Sequence, residues 1–85
     1  MFYVYILKSK KDGKLYIGFT DDLENRMKKH KGKKVPSTAY RLPLVLIYYE
    51  SYQSKIDAQN REKKLKYFGK AYSQLKKRIK ESLKT

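Results

Sequence analysis

Apolar runs alternate with polar segments along the chain and predict three strands. Residues 2–7 (FYVYIL) and 15–20 (LYIGFT) are short runs of β-branched and aromatic residues, a composition typical of strands. The polar segment between them contains Asp12-Gly13, a strong signal for a hairpin turn. A third run, residues 44–52 (LVLIYYESY), predicts another strand, which we expect to be buried on both faces in its first part.

The segment after the second strand has the pattern of a helix. Thr20 or Asp21 is the predicted N-cap, and the acidic residues that follow suit the positive end of a helix dipole. Apolar residues four positions apart supply the face that packs on the sheet. The helix is expected to end near Gly32, and residues 33–43, which contain two prolines, are predicted to form a loop.

Two further helices are predicted toward the C-terminal end. Ser54-x-x-Asp57 is a capping signature for a helix that runs to about Phe68, with Gly69 as its C-terminal stop. The third helix has one apolar face, and lysine and arginine surround it. The residues of that apolar face are Tyr72, Leu75, Ile79 and Leu83.

The resulting element order is β-β-α-β-α-α, which predicts an α/β fold (an α+β sandwich). We expect a small, three-stranded, mostly antiparallel sheet flanked by helices, in a single domain that spans residues 1–85. A chain of this size buries about two-thirds of its unfolded surface, enough for one modest core. Any active site should therefore be a shallow, open cleft.

The charge of the chain indicates its class of partner. Twenty-two Lys and Arg against eight Asp and Glu give a net charge of +14, which attracts polyanions. Nucleic acid is the expected partner, and DNA is favoured over RNA. No apolar run approaches the ~20 residues of a membrane span, and no basic segment precedes the apolar start as in a signal peptide. We therefore predict a cytoplasmic protein without membrane contact, and we assume a monomer.

The first candidate site lies on the hairpin. If Tyr5 pairs with an even-numbered residue of the second strand, then Tyr5, Tyr16, Gly18 and Thr20 share one face of the sheet. A two-residue turn would leave the tyrosines roughly 13 Å apart, whereas a longer loop would bring their hydroxyls together. Glycine inside a strand often marks the close approach of a ligand or another backbone. The alternative is that two tyrosines and a glycine coincide by chance.

The first helix carries the second candidate group. Arg26 and His30 are four residues apart and lie near the apolar position Leu23, so their side chains can converge. An arginine beside the only histidine of the chain would suit phosphate binding. The alternative is a pair of side chains at the border of a helix that reach out to solvent.

A carboxylate on the second helix is the third candidate. Ala58, Glu62 and Leu65 follow helical spacing, which places Glu62 within an apolar stripe. An unpaired carboxylate there would be costly, so Glu62 requires a nearby lysine, arginine or metal ion. An ordinary salt bridge is the simpler alternative.

Several other chemistries are excluded by the residues that the chain contains. Without cysteine there is no thiolate catalysis, disulfide or zinc-thiolate site, and a single histidine rules out a His-rich metal site. The four glycines are isolated, so no glycine-rich phosphate loop is present. Because Glu62 is the one well-placed carboxylate, the sequence allows one metal ion rather than two.

In order along the chain, these motifs resemble the signature of the GIY-YIG nuclease superfamily. The matching segments are Tyr3-Val4-Tyr5, Tyr16-Ile17-Gly18, Leu23-x-x-Arg26-x-x-x-His30 and Ala58-x-x-x-Glu62-x-x-Leu65-Lys66. The resemblance covers nearly the whole chain and is strongest to small stand-alone bacterial members. Tyr3 stands where the signature has its first glycine, and no counterpart is found for a late asparagine that some members carry.

The resemblance implies a metal-dependent endonuclease that hydrolyses phosphodiester bonds with low sequence specificity, in DNA repair or processing. By position, Glu62 would hold a single Mg²⁺ or Mn²⁺, and Arg26 would stabilise negative charge on the phosphoryl group. Tyr5 or Tyr16 would orient and deprotonate the attacking water, helped by His30. The remaining implied substrate contacts are Gly18, Thr20, Lys66 and Lys70. Physically, a metal ion, Arg26 and the basic field would favour the tyrosinate form.

Two other functions remain as alternatives. A nucleic-acid-binding module with the same fold and little or no activity would need the same basic surface. A basic adaptor that binds RNA or an acidic protein would leave Glu62 unexplained.

Overall fold

The computed structural model describes all residues, 1–85, and confirms the predicted α/β architecture and element order. The three strands and three helices follow the order β-β-α-β-α-α, and two short 3-10 turns are present in addition. The strands are β1 (Phe2–Ser9), β2 (Leu15–Thr20) and β3 (Leu44–Tyr52). The helices are α1 (Leu23–Lys31), α2 (Lys55–Tyr67) and α3 (Gly69–Arg78).

The sheet has the order β2-β1-β3, and both pairings are antiparallel. A five-residue loop, residues 10–14, joins β1 to β2, and Asp12-Gly13 lies inside it. The two-residue turn considered for this dipeptide does not form. The longer loop sets the register in which Tyr5 pairs with Gly18 and Leu7 pairs with Tyr16. Side chains alternate along each strand, so this register places Tyr5, Tyr16 and Gly18 on one face.

The core lies on the opposite face of the sheet. Val4 and Ile6, at the centre of β1, are fully buried against α2 and α3. Each such side chain contributes roughly 1.5–3 kcal/mol when it leaves water. The helices complete this cluster with Ala58, Leu65, Leu75 and Ile79.

β3 departs from its predicted environment because it is an edge strand. None of its residues is fully buried, and Leu46 is 36% exposed. A register shift between Ile6 and Leu7 marks a bulge in its pairing with β1. The expectation of burial on both faces is therefore wrong, since an apolar run alone does not distinguish a central strand from an edge strand.

Hydrogen bonds at the helix ends locate the caps. Asp22, rather than Thr20 or Asp21, is the N-cap of α1, and its side chain accepts a hydrogen bond from the backbone N–H of Asn25. The predicted end of α1 is confirmed, because the helix stops at Lys31 with Gly32 as its cap.

The second cap prediction is confirmed at the start of α2 and wrong at its end. Ser54 caps α2 and accepts a hydrogen bond from the backbone N–H of Asp57. Phe68 is the residue that ends α2, and Gly69 begins α3 instead of stopping the helix before it. The third helix is shorter than predicted: it ends at Arg78, so Ile79 is its C-cap and Leu83 lies in the following 3-10 turn. The four predicted apolar residues still pack on the core, with Leu75 and Ile79 buried. None of the three helices has the length and apolar composition needed to cross a membrane.

Candidate active site

The hydroxyl of Tyr5 is the centre of a polar cluster on the face of the sheet opposite the core. Tyr5 is fully buried in the middle of β1. Its hydroxyl oxygen lies 3.0 Å from Nε2 of His30 and accepts a 3.3 Å hydrogen bond from Nε of Arg26. Residues predicted separately on a strand and a helix therefore meet at one atom.

Gly18 makes room for the Tyr5 ring. The two residues are paired across the hairpin, and the phenol of Tyr5 lies over the glycine backbone. A Cβ atom at position 18 would overlap the Cζ and Oη atoms of that phenol. The close approach inferred from the sequence is thus made by a side chain of the protein itself, and contact of Gly18 with substrate stays a prediction.

Tyr16 stands beside Tyr5 and is half-buried. Its ring centroid lies 6.4 Å from that of Tyr5 and 5.5 Å from that of His30, with the imidazole edge-on. The five-residue hairpin loop creates this contact, because it brings Tyr16 within two strand positions of the partner of Tyr5. Tyr16 is the tyrosine of the pair that solvent reaches.

One turn of α1 separates Arg26 from His30, and both side chains point toward Tyr5. His30 is only 1% exposed, and its Nδ1 lies 2.7 Å from Oγ1 of the buried Thr38. The Thr38 hydroxyl in turn makes a longer contact, 3.4 Å, with the carbonyl oxygen of Val35. Because His30 is buried, its Nε2 contacts the Tyr5 hydroxyl rather than solvent.

The ends of this chain of hydrogen bonds fix its direction. The Val35 carbonyl can only accept and the Nε–H of Arg26 can only donate. With neutral His30, the Thr38 hydroxyl donates to Val35, Nδ1–H of His30 donates to Thr38, and the Tyr5 hydroxyl donates to Nε2. The network therefore assigns the proton of neutral His30 to Nδ1.

Electrostatics keeps the cluster in this protonation state at neutral pH. Burial raises the pKa of Tyr5, and the hydrogen bond from Arg26 offsets that effect only in part. Burial and the nearby charge of Arg26 lower the pKa of His30, so the imidazole is neutral. Among the groups of the chain, desolvation outweighs the arginine at Tyr5 and favours its neutral form, and the predicted effect of a bound metal ion on the tyrosinate stays a prediction.

Arg26 carries a positive charge that no carboxylate of the chain balances. It forms no salt bridge, in contrast to Arg41 and Arg61. The hydrogen bond with Tyr5 is the main cause that raises the pKa of Arg26, so the guanidinium stays charged. Its Nε is held by Tyr5, and the nearby Tyr16 hydroxyl also contributes to raising the pKa of Arg26, after the effects of Tyr5.

Glu62 has the nearby cation that its position required. Its carboxylate forms a 3.0 Å salt bridge with Nζ of Lys66, and the side chain of Glu62 is 21% exposed. Burial is the main cause that raises the pKa of Tyr5, and the negative charge of Glu62 is the weakest contribution to it. Lys66, predicted as a substrate contact, is thus the salt-bridge partner of the predicted metal ligand.

Glu62 is a single carboxylate for a divalent ion. No group of three His, Asp or Glu side chains is close enough to hold a metal by itself. Mg²⁺ prefers oxygen ligands and commonly uses one or two carboxylates together with waters and substrate phosphates. The carboxylate of Glu62 therefore fits an ion whose other ligands are waters and substrate oxygens.

Two other predicted contacts lie at the margins. The Thr20 hydroxyl is hydrogen-bonded with the backbone of Asp22, where β2 leads into α1. Lys70 is exposed on the first turn of α3 and lines a groove there.

The larger grooves of the chain do not contain the Tyr5 cluster, and the largest, about 620 Å³, lies between α1 and β3. The expectation that the active site is a shallow, open cleft therefore stays a prediction.

Thr38 is the member of the network that the sequence did not identify. It lies within the segment predicted as a loop, and it is fully buried against His30. No periodicity marks such a residue, because its position depends on how the loop folds back over α1.

Comparison with known proteins agrees with this arrangement. A sequence profile described as the GIY-YIG catalytic domain matches residues 1–67, a range that includes Tyr5 and Glu62. The UPF0213 protein of Staphylococcus haemolyticus is 44% identical over 69 residues, covering 80% of this chain and 83% of that protein. The UPF0213 protein of Clostridium perfringens is 48% identical over 63 residues, or 73% and 67% of the two chains. No solved structure matches. The chain belongs to the GIY-YIG family of nucleases.

Proposed function

We propose that this protein is a metal-dependent nuclease that hydrolyses phosphodiester bonds in DNA with low sequence specificity and acts in DNA repair or processing. The observation that carries the proposal is the charged Arg26, which forms no salt bridge and is held by Tyr5 next to Tyr16. A purely structural arginine would be neutralised by a carboxylate. A cytoplasmic location is part of this proposal, because DNA is the substrate.

Arg26 is the group that binds the scissile phosphate. Its terminal nitrogens match two phosphate oxygens, and its planar fork retains its charge at every accessible pH. Tyr5 holds Nε in place, so little side-chain freedom is lost when the phosphate arrives. Donors that are preorganised around developing negative charge are typically worth 10²–10³ in rate each.

Tyr16 is the tyrosine that contacts the attacking water. Tyr5 is fully buried and already bonded to two partners, whereas Tyr16 is half-buried at the edge of the same cluster. Tyr5 and His30 are then positioning residues that act through Arg26 and Tyr16. The sequence did not distinguish which tyrosine acts as the base. In this proposal it is Tyr16, because Tyr16 is the more accessible of the two.

Glu62 would hold the divalent ion, Mg²⁺ or Mn²⁺. Lys66 would then leave Glu62 and pair with the DNA. In the free protein Lys66 neutralises Glu62. Arrival of an ion and a phosphate would release the lysine, which then has an anionic oxygen of the DNA as its new partner. When bound, such an ion neutralises phosphoryl charge and assists the leaving oxygen.

The same salt bridge favours one alternative function. If Lys66 stays on Glu62, the carboxylate is not free for a metal, and the chain would be a nucleic-acid-binding module that retains the fold without activity. The nuclease would cleave bound DNA when a metal ion is present, whereas the binding module would leave it intact.

A plasmid-nicking and branched-DNA cleavage assay separates them. Wild type, Glu62→Gln and Glu81→Gln are compared with Mg²⁺, Mn²⁺ and a chelator. Glu81 is the control, because it also forms a salt bridge with a lysine a few residues later but is 72% exposed. We expect metal-dependent cleavage by wild type and Glu81→Gln and at least ~100-fold less by Glu62→Gln. Equal cleavage by all three proteins would contradict the proposal, and binding without cleavage would establish the alternative.

A further inference from the structure

Two adjacent aromatic side chains project into solvent at the junction of α2 and α3. Tyr67 is 76% exposed and Phe68 is 62% exposed. Isolated exposed apolar residues are common and need no explanation. Here, however, every residue from Lys66 to Lys70 is exposed, so the aromatic pair forms a surface that the fold itself does not use.

Lysines surround this aromatic pair. Phe68 lines a shallow groove of about 320 Å³ together with Lys64, Lys70, Ala71 and Gln74, and no acidic residue lines it. A single-stranded nucleic acid is bound by such a combination, in which bases stack on aromatic faces and lysines follow the phosphates. Stacking contributes ~1–3 kcal/mol per base. The amide of Gln74 adds a donor and an acceptor for base edges.

This surface lies on a different side of α2 from Glu62. Tyr67 follows Glu62 by five residues, which corresponds to about 7–8 Å along the helix axis and about 140° around it. Lys66, which is bonded to Glu62, is one turn away on nearly the same side as that carboxylate. A nucleic acid that contacts both Glu62 and the aromatic pair therefore passes around α2.

We propose that Tyr67, Phe68, Lys64 and Lys70 form a binding site for unpaired nucleotides on the other side of α2 from Glu62. The proposal rests on the nuclease function proposed above and names its substrate class: nucleic acid with a single-stranded segment, such as a flap, an overhang or a branch. Charge identifies this occupant. A second copy of this chain would bring further lysines to a surface that is already basic.

Binding without cleavage tests the site independently of catalysis. Fluorescence anisotropy in the presence of a chelator compares a single strand, the corresponding duplex and a duplex with an overhang. The variants are Tyr67→Ala/Phe68→Ala and, as a matched control, Tyr40→Ala/Ile56→Ala, whose side chains are 69% and 68% exposed elsewhere. We expect the first pair to weaken single-strand and overhang binding at least ~10-fold, from the loss of stacking on two rings. Duplex affinity and the salt dependence should change little, because the lysines remain.

Equal losses on single strand and duplex, or no loss, would overturn the proposal. Tyr67→Phe/Phe68→Tyr keeps both rings and should restore wild-type binding, which excludes a folding defect as the cause. Sedimentation that shows a dimer lost only in Tyr67→Ala/Phe68→Ala would also overturn it and assign the surface to a second copy. If selective binding is lost as expected but wild type cleaves nothing with Mg²⁺ or Mn²⁺, this site stands and the proposed nuclease function fails.

Discussion

Two clusters that combine an arginine with tyrosine hydroxyls lie on opposite faces of the sheet. On the core face, Arg61 donates from Nε and Nη2 to the two carboxylate oxygens of Glu50, each at 3.0 Å. The hydroxyls of Tyr48 and Tyr52 donate to the same carboxylate. On the other face, the Tyr5 hydroxyl accepts from Arg26, and no carboxylate pairs with that arginine.

The two clusters differ in their net charge. In the first cluster, the Glu50 carboxylate accepts hydrogen bonds from Arg61 and from both tyrosines. Burial, and then the hydrogen bond to Glu50, raises the pKa of both Tyr48 and Tyr52 to about 12. The cluster around Tyr5 keeps a net positive charge that a phosphate can neutralise. The Glu50 cluster is therefore structural, whereas the proposed function gives the Tyr5 cluster a catalytic role. Removing matched groups from each cluster tests this difference.

The largest contrast is expected from the tyrosines. Tyr16→Phe removes the accessible hydroxyl of the Tyr5 cluster, and the cleavage rate should fall about 10³-fold, or ~4 kcal/mol in activation free energy. Its unfolding free energy should stay within ~1 kcal/mol of wild type. Tyr48→Phe, the control, should cleave at the wild-type rate and lose ~1 kcal/mol of stability with one hydrogen bond. Single-turnover kinetics and urea denaturation measure both effects, and equal rate losses would contradict the assignment.

Breaking the Glu50 cluster should mainly affect stability. Arg61→Gln leaves Glu50, whose side chain is 14% exposed, without its cation. A loss of about 3 kcal/mol in unfolding free energy is expected, the low end for a buried pair because Arg61 is 26% exposed. Arg26→Gln, which removes a single hydrogen bond, should cost ~1 kcal/mol. The comparison fails if urea denaturation gives the two variants the same midpoint.

Gly18→Ala should disturb the Tyr5 cluster without removing any polar group. The added Cβ overlaps the buried Tyr5 phenol, whose bonds to His30 and Arg26 leave it nowhere to move. We expect a loss of about 2 kcal/mol, typical of overpacking, together with reduced cleavage. Gly69→Ala is the control, since nothing lies within 4 Å of its added Cβ. Thermal unfolding and nicking rates report the outcome, and unchanged values for Gly18→Ala would show that Tyr5 is not held there.

The smallest effect is expected from pH, in two separate steps. The pKa of folded His30 is lowered from 6.5, so as the pH falls below that value the unfolded chain binds its proton first and stability declines. Burial alone would raise the pKa of Glu50, but hydrogen bonds from Arg61 and the tyrosines hold it below 4.5. Its stabilisation is present above pH 4.5 and is lost below it. Urea midpoints across pH 3–8 should show both steps, and His30→Gln should abolish only the upper one.

Local patterns predicted the parts of the structure that depend on neighbours in sequence. Helical spacing placed Glu62 where it needed a cation, which proved to be Lys66 one turn later. Strand alternation placed Tyr5, Tyr16 and Gly18 on one face, provided that the loop was long enough. These inferences require only the periods of a helix and a strand.

The remaining features depend on contacts that sequence patterns do not encode. Thr38 meets His30 because residues 33–43 fold back over α1. The Glu50–Arg61 pair joins a strand to a helix across the core, and neither residue stands out within its own element. The rise in the pKa of Tyr5 also required the structure, since it reflects how completely the ring is buried.

Replacing each arginine by lysine tests the central claim most directly. Arg26→Lys and Arg61→Lys both keep the charge but remove the fork that binds two oxygens. Single-turnover cleavage with Mn²⁺, corrected for the folded fraction, should fall at least ~100-fold for Arg26→Lys and stay at the wild-type rate for Arg61→Lys. Wild-type cleavage by Arg26→Lys, or equal losses in both variants, would contradict the assignment of the Tyr5 cluster as the active site.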